Sequence, residues 1–242
     1  MAAPVVDGTA TGIGTAVASI AMGGLTTTGA NRIIVVQVSI GSTTGTTPPA
    51  VTSVTGGSLT FTRRSQIVSA AQNNLKDSLE VWWALAPSTL TSTVFTVNFA
   101  SSTYDDAAAL VFGVSGCNTA APWDTNSSLP ATGSGVLTPT FSGISTTSAN
   151  CLLLFGVGSD RIFSQNNPPS GFTLVVGSYN GGGSRYCYEE IARKGVTSVQ
   201  TNQTFTWGGV IADNFAAPDV FMFDALTADA TSAVRPQVFT CT

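Results

Sequence analysis

Histidine does not occur anywhere in this 242-residue chain. That absence closes the commonest hydrolytic route, in which an imidazole takes the proton of a serine or cysteine nucleophile. It also removes the usual nitrogen ligand of zinc. The four cysteines, Cys117, Cys151, Cys187 and Cys241, are irregularly spaced and form no CxxC pair, so no structural metal is expected. Charge is scarce as well: 9% of residues are charged, against about a quarter in ordinary domains. The net charge is −4, and the nearest approaches to a basic patch are Arg63-Arg64 and Arg193-Lys194. Binding to nucleic acid needs a clustered positive footprint, so a nucleic-acid partner is excluded. No run approaches the roughly 18 apolar residues of a membrane span, and no membrane partner is expected. The start, MAAPVVDGTATG, has no basic segment, and GIGTAVASIAMGG behind it is short and interrupted by glycine. It reads as a strand rather than a secretion signal. Folding in a reducing compartment then leaves the thiols free, with Cys151 and Cys187 the pair to check for a bridge.

What fills the chain instead is Thr, Ser, Asn and Gly among apolar residues that make up 43% of it. Threonine suits a pleated, half-buried surface, and Ser, Asn and Gly suit turns. An all-β protein follows. The apolar run NRIIVVQVSIG, 31–41, has a near-copy in NCLLLFGVGSD, 150–160. Each is strand-length, buried on both faces, and preceded by an Asn. Pro48-Pro49 and Pro168-Pro169 follow the two runs at similar distances. Phe95-Thr96-Val97 matches Phe205-Thr206-Trp207, and LVFGV from Leu110 matches VFMFDA from Val220. Four features recurring in one order indicate a duplicated strand set, at a period too long for a solenoid.

The expected organisation is an N-terminal arm with a first strand (1–30), one β-sandwich (31–226), and a tail (227–242) with Val238 and Phe239 as docking residues. Within the sandwich, halves 31–116 and 150–226 are joined by a Gly/Ser/Thr/Pro-rich crossover, 117–149, carrying a strand over Val136 to Phe141. Gly56-Gly57 is expected to close a hairpin into Leu59–Arg63. Two halves facing each other predict a two-sheet antiparallel, jelly-roll-like sandwich with little helix.

Chemistry is sparse. A sugar hydrolase on this scaffold needs two carboxylates about 5 to 10 Å apart across a cleft. Candidates are Glu80, Glu189, Glu190 and Asp105-Asp106, but Glu189 and Glu190 leave opposite faces of one strand. Solvent-facing or edge-protecting charge is the plainer reading, and no catalytic residue is assigned. Asp105-Asp106, Asp213 and Asp219 are loop acids of the kind that hold calcium, without a DxDxDG loop. No cofactor site is assigned, since the glycines of GTATGIG and of 181–183 open no helix and precede no GKS or GKT. Trp82, Trp123, Asp124, Tyr179, Tyr186 and Tyr188 are the ligand or interface candidates, because exposed aromatic faces stack on sugars or anchor partners.

In order, NRIIVVQVSIG, VTSVTGGSLTFTRR, LEVWWALAPSTLTSTVFTVNF, AALVFGVSGCNTAAPWD and NCLLLFGVG resemble the jelly-roll-like β-sandwich structural proteins of tailed bacteriophages, over about 30–226. The resemblance implies a virion subunit that decorates or cements the capsid, or is tail-associated. Such a subunit is made in the host cytoplasm and self-associates, as a trimer. Its partners are capsid or tail proteins, and no enzyme activity is implied. A carbohydrate- or receptor-binding module, meeting a surface glycan, and a β-sandwich glycosidase are the second and third readings.

Overall fold

The computed structural model describes residues 2–42, 46–70, 75–135, 138–159, 167–180, 187–208 and 220–229. Tyr186, Asp213, Asp219, Cys241, the glycines at 181–183 and the tail residues Val238 and Phe239 lie outside these. No described residue is helical. The chain runs through β1 (Val5–Thr15), β2 (Ser19–Leu25), β3 (Arg32–Ser42), β4 (Val51–Thr55), β5 (Thr62–Val68), β6 (Lys76–Ala86), β7 (Thr93–Phe99) and β8 (Asp106–Ser115). It continues through β9 (Ala131–Ser134), β10 (Thr140–Ile144), β11 (Cys151–Ser159), β12 (Thr173–Asn180), β13 (Cys187–Val196), β14 (Gln203–Thr206) and β15 (Val220–Thr227). All pairings are antiparallel.

The two halves are built to one plan. The first has a five-stranded sheet, β1-β8-β3-β6-β5, and a three-stranded sheet, β2-β7-β4. The second has β9-β15-β11-β13-β12 and the pair β10-β14. Matching by order, β3 corresponds to β11, β6 to β13, β8 to β15 and β5 to β12, and β1, β2 and β7 correspond to β9, β10 and β14. The repeat legible in the sequence is thus a repeat of topology. Even the backbone agrees: Asn31 and Asn150, which open the two central strands, are both left-handed, with φ of 51° and 56°. So are Ser92 and Asn202, before β7 and β14, at 46° and 50°. Asparagine tolerates that region because its short amide bonds locally to the backbone.

The antiparallel all-β class and the two similar halves stand as the sequence reads, whereas the layering is finer. Each half is a sandwich of its own, and the two stack through their five-stranded sheets, giving four layers where two are expected. The reason is in the central strands. On β3, Ile34, Val36, Val38 and Ile40 pack into the first half's own core with Ile20, Phe95 and Val97. The alternate residues Ile33 and Val35 face the second half's Leu152, Leu154 and Met222. On β11, Leu153, Phe155 and Val157 pack outward against Phe141, Phe205 and Trp207. A strand apolar on both faces needs a layer on each side.

Three local expectations also change. Val5–Thr15, read as an arm, is the edge strand β1 paired along β8. Gly56-Gly57 closes no hairpin, because β4 and β5 lie in different sheets and the turn carries the chain between layers. Of the crossover strand expected over Val136 to Phe141, Val136 and Leu137 lie outside the described residues; the strand described there is Thr140–Ile144, and β9 precedes it.

Candidate functional site

A repeated clasp fixes the loop before each central strand. In the first half, Thr28 N and Gly29 N donate to the Asp7 carboxylate at 2.9 and 2.8 Å, and Thr28 Oγ1 donates at 3.1 Å. In the second, Thr147 N and Ser148 N donate to Asp124 at 2.9 and 3.0 Å, and Thr147 Oγ1 at 2.9 Å. Thr27 Oγ1 accepts from Leu90 N and Thr146 Oγ1 from Gln200 N, each at 3.0 Å. The segments are TTTGAN and STTSAN, ending at Asn31 and Asn150. Asp124, which the sequence places among ligand candidates, is therefore a buried loop anchor. Burial pushes its carboxyl up, but the bonds from Thr147, Asn126 and Ser148 outweigh this and hold it below the ordinary aspartate range.

Most of the other described acids are also drawn inward. Asp77, Glu80, Asp106, Glu189, Glu190 and Asp224 are all buried. Glu80 accepts from Val51 N at 2.9 Å, Trp82 Nε1 at 3.1 Å, Gln66 Nε2 at 3.2 Å and Arg63 Nη1 at 3.5 Å, yet burial still raises it. Glu190, at the corresponding position of β13, accepts from the Tyr188 hydroxyl. Glu189 leaves the opposite face, into the seam between halves, where Gln37 Nε2 donates to it at 3.3 Å and burial drives its carboxyl well up. The same Gln37 amide donates to Glu190 O at 3.2 Å. Asp106 accepts from Thr15 Oγ1 at 2.6 Å and Asn180 Nδ2 at 2.9 Å.

Across the seam, Arg64 of β5 grips Asp224 of β15 in a two-pronged pair, Nε to Oδ2 at 2.7 Å and Nη2 to Oδ1 at 3.2 Å. Burial raises Asp224 to about 6, with Arg64 pulling against it. The Arg64 guanidinium also lies 4.9 Å from the Trp123 ring centroid. Trp123 in turn meets Trp83 edge-to-face at 6.2 Å. A cleft of about 420 Å³ borders Trp123, with Asn118, Thr125, Thr147, Asn150 and Thr227. A second, of about 550 Å³, borders Trp83, with Leu59, Thr60, Thr62, Leu85 and Ser88.

Of the aromatic candidates, Trp123 is 7% exposed, held in a β-bridge to Leu226, and Tyr188 is buried. Trp82 is half-buried against the first core with Arg63 over its ring at 5.9 Å. Tyr179, on edge strand β12, is exposed at 39%. These residues do not gather into one site. Sequence reasoning missed Trp83, although one signal was available: the strand matching β6 carries Ala192-Arg193 where β6 has Trp82-Trp83.

Cys117, Cys151 and Cys187 are buried, free thiols. Burial pushes Cys117 and Cys151 to about 12, away from thiolate chemistry at neutral pH. Among the described residues, no three His, Cys, Asp or Glu side chains are placed to hold a metal ion.

The outermost strands, β2, β4 and β7 on one side and β10 and β14 on the other, contain no Asp, Glu, Lys or Arg. Their outward faces carry rows of small neutral groups: Ala21, Thr96 and Thr55, then Ser19, Asn98 and Ser53, and on the far side Thr140 beside Thr206. No protein-family model matches this chain, and neither a curated protein nor a solved structure is significantly similar to it.

Proposed function

We propose that this chain is a structural subunit of a bacteriophage virion, a self-associating β-sandwich that decorates or cements the capsid or attaches to the tail. The observation that supports this reading most is the placement of charge. Among the described acids, Asp77, Glu80, Asp106, Asp124, Glu189, Glu190 and Asp224 are buried, and the outer sheets present uncharged rows of Thr, Ser, Ala and Asn. Solubility usually rests on exposed Lys, Glu, Asp and Arg, so faces stripped of all four suit contact with other protein. The strands β2, β4, β10 and β14 also sit at sheet edges, where unpaired backbone groups favour docking.

Contacts of this kind use apolar and hydroxyl groups rather than ion pairs, so assembly should resist salt. Sedimentation of the purified chain at about 0.05 and 1 M salt should show the same oligomer, a trimer, at micromolar concentration. Thr96→Lys and Thr206→Lys should break it, since each places a charge in the middle of an outer face. A monomer at both salt concentrations that fails to bind phage particles in electron micrographs would remove the proposal.

A further inference from the structure

The tryptophan pair lies where the two halves part company. Strand register sets Trp83 against Arg193, and Leu85 against Gly195. The loop clasps set Asp7 against Asp124, and hence Val6 against Trp123. At the place related by the duplication, the molecule therefore has Arg193 and Val6 instead of two indoles. The departure is local, because the acid clasps and strand order on either side of it are kept.

The Arg64 guanidinium lies 4.9 Å from the Trp123 ring centroid and is paired with Asp224, whereas the clefts beside the pair have linings of one chemical kind. Trp83 borders one cleft and Trp123 the other, the two rings meeting edge-to-face at 6.2 Å, and none of the described residues lining either cleft is charged. Hydroxyl and amide groups of Thr60, Thr62 and Ser88 on one side, and of Asn118, Thr125 and Asn150 on the other, border an apolar floor. Leu85 is 43% exposed there. The buried Trp123 indole N–H has no acceptor among the described residues. Each volume falls within the roughly 300–1,000 Å³ of small-molecule sites.

We infer that this double cleft, centred on Trp83 and Trp123, binds a linear chain of neutral pyranose units. A pyranose has a face of C–H bonds that stacks on an indole and a rim of hydroxyls that exchange hydrogen bonds with Thr, Ser and Asn. A charged ligand would meet no counter-ion among the described lining residues, and Arg64 beside Trp123 is already paired with Asp224. Two clefts, one beside each ring of the pair, provide room for several sugar units. The inference does not depend on the assembly reading, since a virion subunit or any other sandwich can carry it.

The test is titration of the full chain with maltohexaose, cellohexaose and hexa-N-acetylchitohexaose, and with decaproline as an apolar peptide control, followed by tryptophan emission and calorimetry. At least one hexasaccharide should saturate with a Kd between about 10 µM and 1 mM. Trp83→Ala should weaken it roughly tenfold. Because Trp83 also supports Trp123, the exposed substitution Leu85→Lys provides a second reading, with folding checked by circular dichroism, and should weaken binding by a similar factor. Thr125→Lys, in the neighbouring cleft, should weaken the hexasaccharide and spare the matching disaccharide. Absence of saturation by all three sugars at about 10 mM, saturation by decaproline alone, or full affinity in both Leu85→Lys and Thr125→Lys would each overturn the inference.

Discussion

Burial of a carboxylate is tolerated only when hydrogen bonds, a counter-charge or a proton replaces the lost water, and this chain uses all three devices. Asp124 is held by backbone N–H groups, so Asp124→Ala would strand those of Thr147 and Ser148 inside the fold. A loss of about 2–4 kcal/mol in urea unfolding is expected. The Asp124 pKa is depressed on folding, so its contribution is present above the unfolded value near 3.9 and disappears as pH falls through the folded one. Glu189 runs the other way. Its folded pKa is raised, so the stability it allows is present below the unfolded value near 4.3 and is lost as pH rises toward the folded one. Glu189→Gln keeps the shape without the ionisation. Its thermal midpoint should exceed that of the parent near pH 8 and converge with it near pH 4; parallel curves at both pH values would refute the assignment. None of this was legible from residue order, where an acid beside an acid in YCYEEIA looks like an exposed pair. Whether an acid meets solvent depends on whether a second layer lies over its face, and here a layer covers both.

At the level of the strand, that second layer was legible in the sequence. A run such as NRIIVVQVSIG, with no polar face, cannot belong to an ordinary two-sheet sandwich, whose strands show one face to water. Taken literally, two such runs require four layers. What permits the inner layers to close is glycine on β11. A Cβ at Gly156 would lie 2.0 Å from Gln37 Oε1, and one at Gly158 2.6 Å from Ser39 Oγ. These glycines make room for the polar groups that cross the seam. Gly156→Ala should therefore cost about 1–3 kcal/mol by wedging the sheets apart. Adding Gln37→Ala should recover part of that loss, giving a non-additive double-mutant cycle. Gly23→Ala, on outer strand β2, meets nothing within 4 Å and serves as the neutral control. Additivity of the first pair would show that the glycine is not there for Gln37. The TTTGAN and STTSAN segments were equally visible, but an Asp-to-loop clasp depends on a partner some twenty residues away, and spacing alone does not reveal that.

The whole molecule resembles a dimer made from one chain. Edge strand β1 lies beside β12, and its counterpart β9 lies beside β5, so the two ends of the seam repeat each other. Such reciprocal contacts are those of a two-fold interface, in which one patch meets its own copy. Polar groups close both ends: Asn180 donates to Gly14 O at 2.9 Å on one, and Arg64 grips Asp224 on the other. Because the core between the halves draws on β3, β6 and β8 as well as β11, β13 and β15, neither half has a finished surface without its mate. Denaturant unfolding should then show a single transition by tryptophan emission and circular dichroism alike. Arg64→Met tests how strongly the clamp couples the halves. Removing the cation leaves Asp224 buried without a counter-charge, held among the described residues only by the Ala225 N–H at 2.9 Å, a loss of about 3–5 kcal/mol where that carboxyl is ionised. Since the carboxyl titrates near 6 even with Arg64 beside it, and higher without it, the loss should be large at pH 8 and shrink at pH 5, where the acid carries its proton. A penalty independent of pH would mean that Arg64 acts through its packing on Trp123, with the ion pair a bystander.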